Sequence, residues 1–347
     1  MTRNQILARI GQAVLVLFIT YTVAFFLLSA LPSDAVQSRF GDPALGLSQA
    51  EIDAIREEMG VDKPLLVQYF TSLLGFLTGQ FGNSTQTGAP VATLIADAFP
   101  HTLALAASAI GLAAVVALVV AFLATLPGLG ALSTFFRGLP SFMVSLPGFW
   151  IGILLIQLFS FQLGWAPVIN ADGWRGLVLP TLTLAVPMAA PLIQVLIRSI
   201  EETQGRPFVQ AVRARGASES WIFWRNILRN SLLPALTMVG LLFGELVGGA
   251  VVTETVFGRT GLGQMTAQAV ANRDTPVLLA VVLIAATAYV VINLVVDLIY
   301  PVVDVRLRTP RAGASSVTSV TSADAPAAVA AHSATPQAAT DQEGVVR

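Results

Sequence analysis

The sequence contains no cysteine, few histidines and few charged residues. The absence of Cys from its 347 residues excludes disulfide scaffolds, thiolate metal sites and Cys nucleophiles. Two histidines, His101 and His332, are too few for a multi-histidine metal centre. Charged residues make up 11% of the chain, against about 25% in a typical soluble domain, and 55% of the residues are hydrophobic. A net charge of −1 argues against nucleic-acid binding, so the class that remains is an integral membrane protein.

Motifs of enzyme chemistry are also missing. The chain has no G-x-x-x-x-G-K-[ST] phosphate loop, no H-E-x-x-H and no G-x-S-x-G sequence. We therefore expect a protein that is not an enzyme and that binds no metal or cofactor itself.

Long uncharged stretches predict the membrane spans. A helix needs about 20 apolar residues to cross the hydrocarbon core, and several stretches are that long. The sequence predicts an all-α, multi-pass membrane protein with six transmembrane helices, at 10–31, 102–126, 138–163, 177–199, 231–257 and 277–303. The first apolar stretch exceeds the 7–15 residues of a signal-peptide core, which favours an uncleaved signal anchor at 10–31 over a cleaved signal peptide.

The arginines predict the orientation. Six arginines lie in the 198–230 connection, whereas the 32–100 connection holds eight acidic and three basic residues. The positive-inside rule places 198–230 in the cytoplasm and 32–100 outside. With six spans both termini are then cytoplasmic, including residues 1–9.

Two segments outside the spans have contrasting compositions. The external segment 32–101 contains a capping box, Ser48 with Glu51, and a second helix opened by Pro64. It is either a small cap on the helix ends or a docking surface for an extracellular partner. The tail 309–347 has no Leu, Ile or aromatic residue from Ala312 onward, and we expect it to be disordered.

The cytoplasmic connection is basic, aromatic and interrupted by a glycine. Phe208 to Arg215 can form a short helix that Gly216 ends, and Ser218 can cap a second helix. This pattern is typical of a surface that binds another protein. The alternative is an amphipathic element at the membrane interface, with its tryptophans, Trp221 and Trp224, among the lipid headgroups.

Several motifs in order resemble those of the permeases of binding-protein-dependent ABC importers. The connection reads Gln210-Ala-Val-Arg-Ala-Arg-Gly216 and then Arg229-Asn-Ser-Leu-Leu-Pro234, which is similar to the E-A-A-x-x-x-G…L-P loop of that family. Further matches point to the first-permease type of the dipeptide/oligopeptide/nickel branch: Asp62-Lys-Pro-Leu-Leu-Val-Gln-Tyr69, Gly79-Gln-Phe-Gly-Asn-Ser84, Glu254-Thr-Val-Phe257 with Gly261-Leu-Gly263, Arg273-Asp274 and Asn293-Leu-Val-Val-Asp-Leu-Ile-Tyr300. The resemblance covers about residues 5–308 and departs from the family where Gln210 and Gln80 replace acidic residues.

The resemblance implies a permease subunit with residues 102–308 as its core and 200–230 as its coupling loop. Such a subunit pairs with a second homologous permease in the bilayer of the bacterial plasma membrane. Two cytoplasmic ATPase subunits bind ATP and Mg²⁺, and an extracytoplasmic solute-binding protein delivers the substrate. The residues expected to couple to the ATPase are Phe208, Gln210, Ala211, Arg213, Ala214, Arg215, Gly216 and Ser218. Those expected to face the binding protein are Asp62, Gln68, Tyr69, Gln80 and Asn83.

Two acidic residues within the fifth predicted span are candidates for the translocation path or for gating. Glu254 lies near the outer end, where a structural or gating hydrogen bond is expected. Glu245 is deeper and either lines the substrate path, favouring a cationic group or a peptide amino terminus, or forms a hydrogen bond across the permease interface.

The branch makes di- and oligopeptides the expected substrates, with nickel, haem or another small solute as alternatives. A self-contained channel or secondary transporter is the rival class. That class would show inverted repeats or a ring of charged residues along a pore, and the sequence shows neither.

Overall fold

The computed structural model describes residues 3–30, 46, 48–59, 63–126, 128–166 and 173–303. Side chains are described within these ranges except at 3–6, 55, 58, 59 and 297–303. The predictions for the tail 309–347 and for Asp62 lie outside the described residues.

The described residues are predominantly helical. Twelve α-helices lie in these ranges: α1 (Arg3–Ser29), α2 (Gln49–Met59), α3 (Leu65–Leu77), α4 (Val91–Thr125), α5 (Ala131–Ser145), α6 (Gly148–Leu155), α7 (Arg175–Gln204), α8 (Pro207–Ala214), α9 (Glu219–Ile222), α10 (Leu228–Val256), α11 (Leu262–Ala271) and α12 (Thr275–Val303). Two π-helical segments extend them, Ile156–Gln162 after α6 and Phe223–Ile227 between α9 and α10. One isolated antiparallel bridge joins Asn83 and Pro90.

Five helices within the described ranges are long and apolar enough to cross a membrane. They are α1, α4, α7, the continuous helix of residues 219–256, and α12. The predicted single helix at 138–163 is wrong, because this region forms two helices bent by 96° at Leu146 and Pro147. Proline lacks an N–H group and pushes the residue before it toward extended backbone, and Leu146 is extended. The bent pair makes a sixth span if it crosses the membrane as one unit.

The span at 102–126 begins earlier than the sequence predicts. α4 starts at Val91, directly after Pro90, and its backbone continues through Pro100. Asp97 bounds the uncharged stretch of the sequence, so the apolar span was expected to begin after it. The helix includes Asp97 because its hydrogen bonds are local and do not depend on the membrane boundary.

α7 lies at the centre of the bundle and packs against α4, α5, α6 and α10. The face of α4 in the core cluster carries buried alanines at helical spacing: Ala106, Ala109, Ala113, Ala117 and Ala121. Small residues of this kind let helix backbones approach closely, which stabilises helix pairs in lipid.

Candidate coupling and docking surfaces

The α7–α10 connection (residues 205–227) contains a short helix that ends in a sharp turn. α8 begins with Pro207 in its first turn and ends at Ala214, with Arg215 as its C-cap. Gly216 follows with a φ of 83°, a left-handed conformation that glycine adopts without the strain of a side chain. A Cβ at Gly216 would meet nothing within 4 Å, so the turn, rather than a close approach within this chain, explains this glycine.

The turn after α8 is held by two polar interactions. The backbone N–H of Trp221 donates to the hydroxyl of Ser218, at 3.4 Å, which caps α9 as predicted. Arg213 forms a two-pronged ion pair with Glu219, with Nη2 2.9 Å from Oε2. The hydrogen bonds to Glu219 and its negative charge raise the pKa of Arg213 above its ordinary value.

All of the predicted coupling residues are exposed. They are Phe208, Gln210, Ala211, Arg213, Ala214, Arg215, Gly216 and Ser218. The opposite side of α8 is buried through Val209, which is fully enclosed in the core. α8 therefore presents an outer surface and is fixed to the bundle through its inner one.

The connection is joined firmly to the spanning helices. Ile222 and Ile227 are buried in the core, and the ring of Phe223 contacts that of Phe122 at the end of α4, 4.9 Å away. The hydroxyl of Ser231 donates to the carbonyl of Ser199 at 3.1 Å, which ties the start of α10 to the end of α7. A force on the exposed face of α8 is therefore transmitted to α4, α7 and α10.

Aromatic side chains also lie on the outside of the connection. Trp221 and Trp224 are 47% and 60% exposed, and Arg225 lies over the ring of Trp221, 5.6 Å from its centre. Their exposure fits the interfacial role expected of them, whereas the exposed face of α8 carries no tryptophan.

A second surface lies at the opposite end of α4. The α3–α4 turn (residues 79–90) leads into Val91, whereas Phe122 contacts the α7–α10 connection. At 1.5 Å per residue, the 35-residue helix α4 separates the two surfaces by about 50 Å. This exceeds the hydrocarbon thickness of a bilayer, about 30 Å, so α4 is long enough to hold the two surfaces on opposite sides of a membrane.

Asp274 holds the α3–α4 turn in place. Its carboxylate is 2% exposed and accepts a short hydrogen bond from the hydroxyl of Ser84. It also accepts from the backbone N–H groups of Thr85, at 3.2 Å, and Gln86, at 3.3 Å. The sequence marked Asp274 as part of a family motif without giving it a role.

The residues predicted to face a binding protein differ in position. Gln80 and Asn83 are exposed on the α3–α4 turn. Gln68 is half-buried, and its side-chain amide donates to the carbonyl of Lys63 at 2.8 Å. Asp62 lies outside the described residues.

Tyr69 does not face outward, which corrects the sequence-based expectation. It is 6% exposed, and its ring lies 5.4 Å from that of Tyr21 and 5.3 Å from that of Phe25. The Tyr21 hydroxyl donates to the carbonyl of Tyr69 at 3.0 Å. An aromatic ring on the apolar stripe of α3 is stabilised by packing, so Tyr69 anchors α3 on α1.

Glu254 is a buried structural residue at the end of α10. The hydroxyl of Thr102 donates to its Oε1 at 2.6 Å, and the backbone N–H groups of Gly263 and Gln264 donate to its Oε2 at 2.7 and 3.2 Å. The carboxylate thus caps the positive end of α11, where an anion is stabilised. The hydrogen bond expected of Glu254 is present, and it joins α10 to α4 and α11.

Glycines permit this arrangement. A Cβ at Gly261 would lie 2.3 Å from the carboxylate oxygens of Glu254, and one at Gly263 would lie 2.6 Å from the backbone of Val251. Both distances are too short for any side chain. Sequence analysis missed α11 and the partner Thr102, although the Gly-Leu-Gly spacing before an amphipathic stretch was a signal for a tight helix start.

Glu245 lies in the middle of α10 and is exposed in this chain. The structure therefore does not bring the two acids of α10 together, because Glu254 is buried at the helix end. No group of three or more His, Asp or Glu side chains able to hold a metal ion occurs in the described ranges.

These features define a class of protein. A multi-pass helical bundle with an exposed helix at one end, braced against its spanning helices, has the architecture of a membrane transport permease. The chain belongs to the family described as binding-protein-dependent transport system inner membrane component, which matches residues 117–309. A second family model, which describes the N-terminal part of the membrane component of binding-protein-dependent transport systems, matches residues 1–106.

Individual relatives agree with this family. The chain is 33% identical to the glutathione transport system permease protein GsiC of Escherichia coli strain K12 over 315 residues, which cover 88% of this chain and 99% of the relative. It is equally similar to GsiC of Salmonella choleraesuis strain SC-B67. The MetNI methionine ABC transporter in its inward-facing conformation matches 61% of this chain and 96% of its own, with a TM-score of 0.51 and 21% identity. That likeness concerns the fold.

The chain is thus the permease subunit of an ABC importer and a multi-pass protein of the inner membrane. It is not an enzyme, because ATP hydrolysis in such importers is carried out by separate ATPase subunits. A binding protein is the other component that the family description names.

Proposed function

We propose that this permease pairs with a second, homologous permease and that the pair conducts peptides into the cell. The substrate class is supported by the GsiC relatives, which are glutathione permeases by name, and glutathione is itself a peptide. The likeness to them extends over nearly their whole length, so it includes both the spans and the loops. Di- and oligopeptides delivered by an extracytoplasmic binding protein are therefore the proposed cargo.

The exposed face of α8 is the proposed contact with the ATPase subunits. The observation that carries this proposal is the combination of an exposed outer face, containing Ala211 and Arg213, with the buried Val209 on the inner face. A docking element has to be accessible and also stiff, because a loose loop would absorb the movement of its partner. ATP and Mg²⁺ bind to the ATPase subunits, and this chain holds neither.

The α3–α4 turn is the proposed contact with the binding protein. Gln80 and Asn83 are exposed on it, and Asp274 fixes the turn to the start of α12. Gln68 and Asp62 precede this turn in the sequence and are further proposed contacts. A binding protein bound to this turn is coupled to α12 through the buried carboxylate of Asp274.

The proposed orientation places both termini and the α7–α10 connection in the cytoplasm of a bacterial cell. The six arginines of residues 198–230 support it, because cytoplasmic loops carry an excess of basic residues. Glu254 then lies at the outer end, where it holds α11 between α10 and α4.

Site-directed crosslinking tests the ATPase contact. Because the chain has no cysteine, the variant Ala211→Cys carries a single thiol on the exposed face of α8. In the assembled complex, a short bifunctional thiol reagent should link this variant to an ATPase subunit with a cysteine in its docking cleft. The matched variant Gln80→Cys, exposed at the opposite end, should give no such product. Equal crosslinking of both variants, or none with Ala211→Cys, would contradict the proposal.

A further inference from the structure

Glu245 is an ionisable side chain near the middle of a spanning helix. It lies three residues past Leu242, the midpoint of α10 (Leu228–Val256), and it is exposed. In the part of the chain that the structure describes, Glu245 has no hydrogen-bond or ion-pair partner. An acid at this depth is costly against lipid and characteristically faces a cavity, a water-filled path or a partner. Its environment in the working protein is therefore polar.

The glycines of α10 show which faces of this helix pack against other helices of the chain. A Cβ at Gly249 would lie 2.6 Å from a side chain of α7, and one at Gly240 would lie 3.1 Å from a side-chain oxygen of α12. A Cβ at Gly244 or Gly248 would meet nothing within 4 Å. These two open glycines lie beside Glu245 in the sequence, one residue before it and three after it. The region around Glu245 is therefore not used for packing within this chain.

The same helix shows how the chain accommodates a structural carboxylate. Glu254 is 1% exposed and accepts from a hydroxyl and two backbone N–H groups. Glu245 differs in exposure and in having no such donors. A structural role inside the chain therefore explains Glu254 and leaves Glu245 unexplained.

We propose that Glu245 lines the peptide path between the two permeases and binds the protonated amino terminus of a peptide in transit. This inference rests on the proposed function, in which paired permeases conduct peptides. Every unmodified peptide carries a terminal ammonium group whatever its side chains, and a carboxylate is its complementary partner. Leu241 and Val252, also exposed on α10, are apolar, so this stretch offers a single charge. One ionic contact holds the amine and still allows its release.

Thiol labelling tests whether Glu245 faces a water-filled path. In the assembled complex, the single thiol of Glu245→Cys should react with a charged, water-soluble methanethiosulfonate reagent at least about ten times faster than that of Val291→Cys. Val291 is the matched control because it is 50% exposed near the midpoint of another spanning helix, α12. Binding protein loaded with trialanine should slow the labelling of Glu245→Cys. Labelling no faster than that of Val291→Cys would overturn the proposal.

Charge removal tests the contact with the amine. With trialanine as the probe, Glu245→Gln should lower ATP-dependent uptake into proteoliposomes about tenfold, the loss of roughly 1.4 kcal/mol of binding. Glu245→Asp should restore most of the uptake, and N-acetyl-trialanine, which lacks the ammonium, should be affected less than twofold by either change. The binding protein is the same in every measurement. Its own preference for one peptide over the other therefore cancels when permease variants are compared with the same peptide.

The outcomes separate this inference from the proposed function. Unchanged trialanine uptake by Glu245→Gln overturns the proposed role of Glu245 and leaves the proposed function of the importer unaffected. Loss of the second permease from the purified Glu245→Gln complex also overturns it, because that result places Glu245 in a permanent interface. Absence of trialanine uptake by the wild-type complex instead contradicts the proposed function.

Discussion

The Glu254 carboxylate offers the sharpest test of how the outer end of the bundle is held together. Replacing it by alanine removes the acceptor for the Thr102 hydroxyl and for the N–H groups of Gly263 and Gln264. Each buried donor left without an acceptor costs about 1–3 kcal/mol. Three donors lose their acceptor in this variant, and the lower part of that range gives a total of about 3–5 kcal/mol. We therefore expect Glu254→Ala to lower the free energy of unfolding by about 3–5 kcal/mol.

The assay is thermal unfolding in detergent, followed by the fluorescence of the five tryptophans. A loss of this size should lower the apparent Tm by about 6–20 °C, at about 2–4 °C per kcal/mol. The matched control is Glu202→Ala, because Glu202 pairs with Arg198 one helical turn away and is 61% exposed. Such exposed pairs contribute about 0.5 kcal/mol or less, so this Tm should move by less than about 2 °C. Equal, small shifts in both variants would refute the structural role of Glu254.

Three further predictions concern the turns and the capping box. Gly216→Val should leave the complex assembled but reduce coupled uptake severalfold, because a β-branched residue at a φ of 83° strains the turn after α8; uptake at the wild-type level would contradict this. Asp274→Asn should loosen the turn that Ser84 anchors, seen as faster proteolysis of residues 84–88 and weaker stimulation of ATPase by the binding protein; an unchanged digestion pattern would count against it. The backbone N–H and the hydroxyl of Ser48 donate to the Glu51 carboxylate and lower its pKa. The capping box therefore stabilises α2 fully at a pH above the ordinary pKa of a glutamate. This stabilisation is lost as the pH falls through the lowered pKa of Glu51. Hydrogen exchange of α2 amides should therefore depend on pH more steeply in the wild type than in Glu51→Gln, and identical profiles would refute the role of the box.

The spans could be predicted from sequence because an uncharged, apolar stretch of membrane length is typical of a transmembrane helix and rare in a soluble fold. Their ends could not. α4 begins at Val91, directly after Pro90, whereas the predicted helix began at residue 102. Prolines were visible too, but Pro180 and Pro187 lie inside α7 and Pro147 breaks a helix. The difference depends on whether neighbouring helices satisfy the freed backbone groups, which the sequence does not encode locally.

The candidate sites were predictable to different degrees. The exposed face of α8 follows from a short amphipathic helix between Pro207 and Gly216, and the structure agrees with it. Tyr69 was expected to face the binding protein, but its ring packs on Tyr21 and is buried against α1. The bond from Ser84 to Asp274 joins residues 190 positions apart, so local patterns could not reveal it.

The central claim is that this permease works with a second permease, ATPase subunits and a binding protein through the surfaces at its two ends. Affinity purification of the tagged chain in mild detergent from its host, with mass spectrometry of co-eluting proteins, tests it most directly. We expect to recover a second, homologous permease and ATPase subunits in near-equal amounts. The ATPase should be lost from the Val209→Asp variant, in which a charge disrupts the packing of α8 on the bundle. A stable homo-oligomer of intact chain without any ATPase would contradict the account.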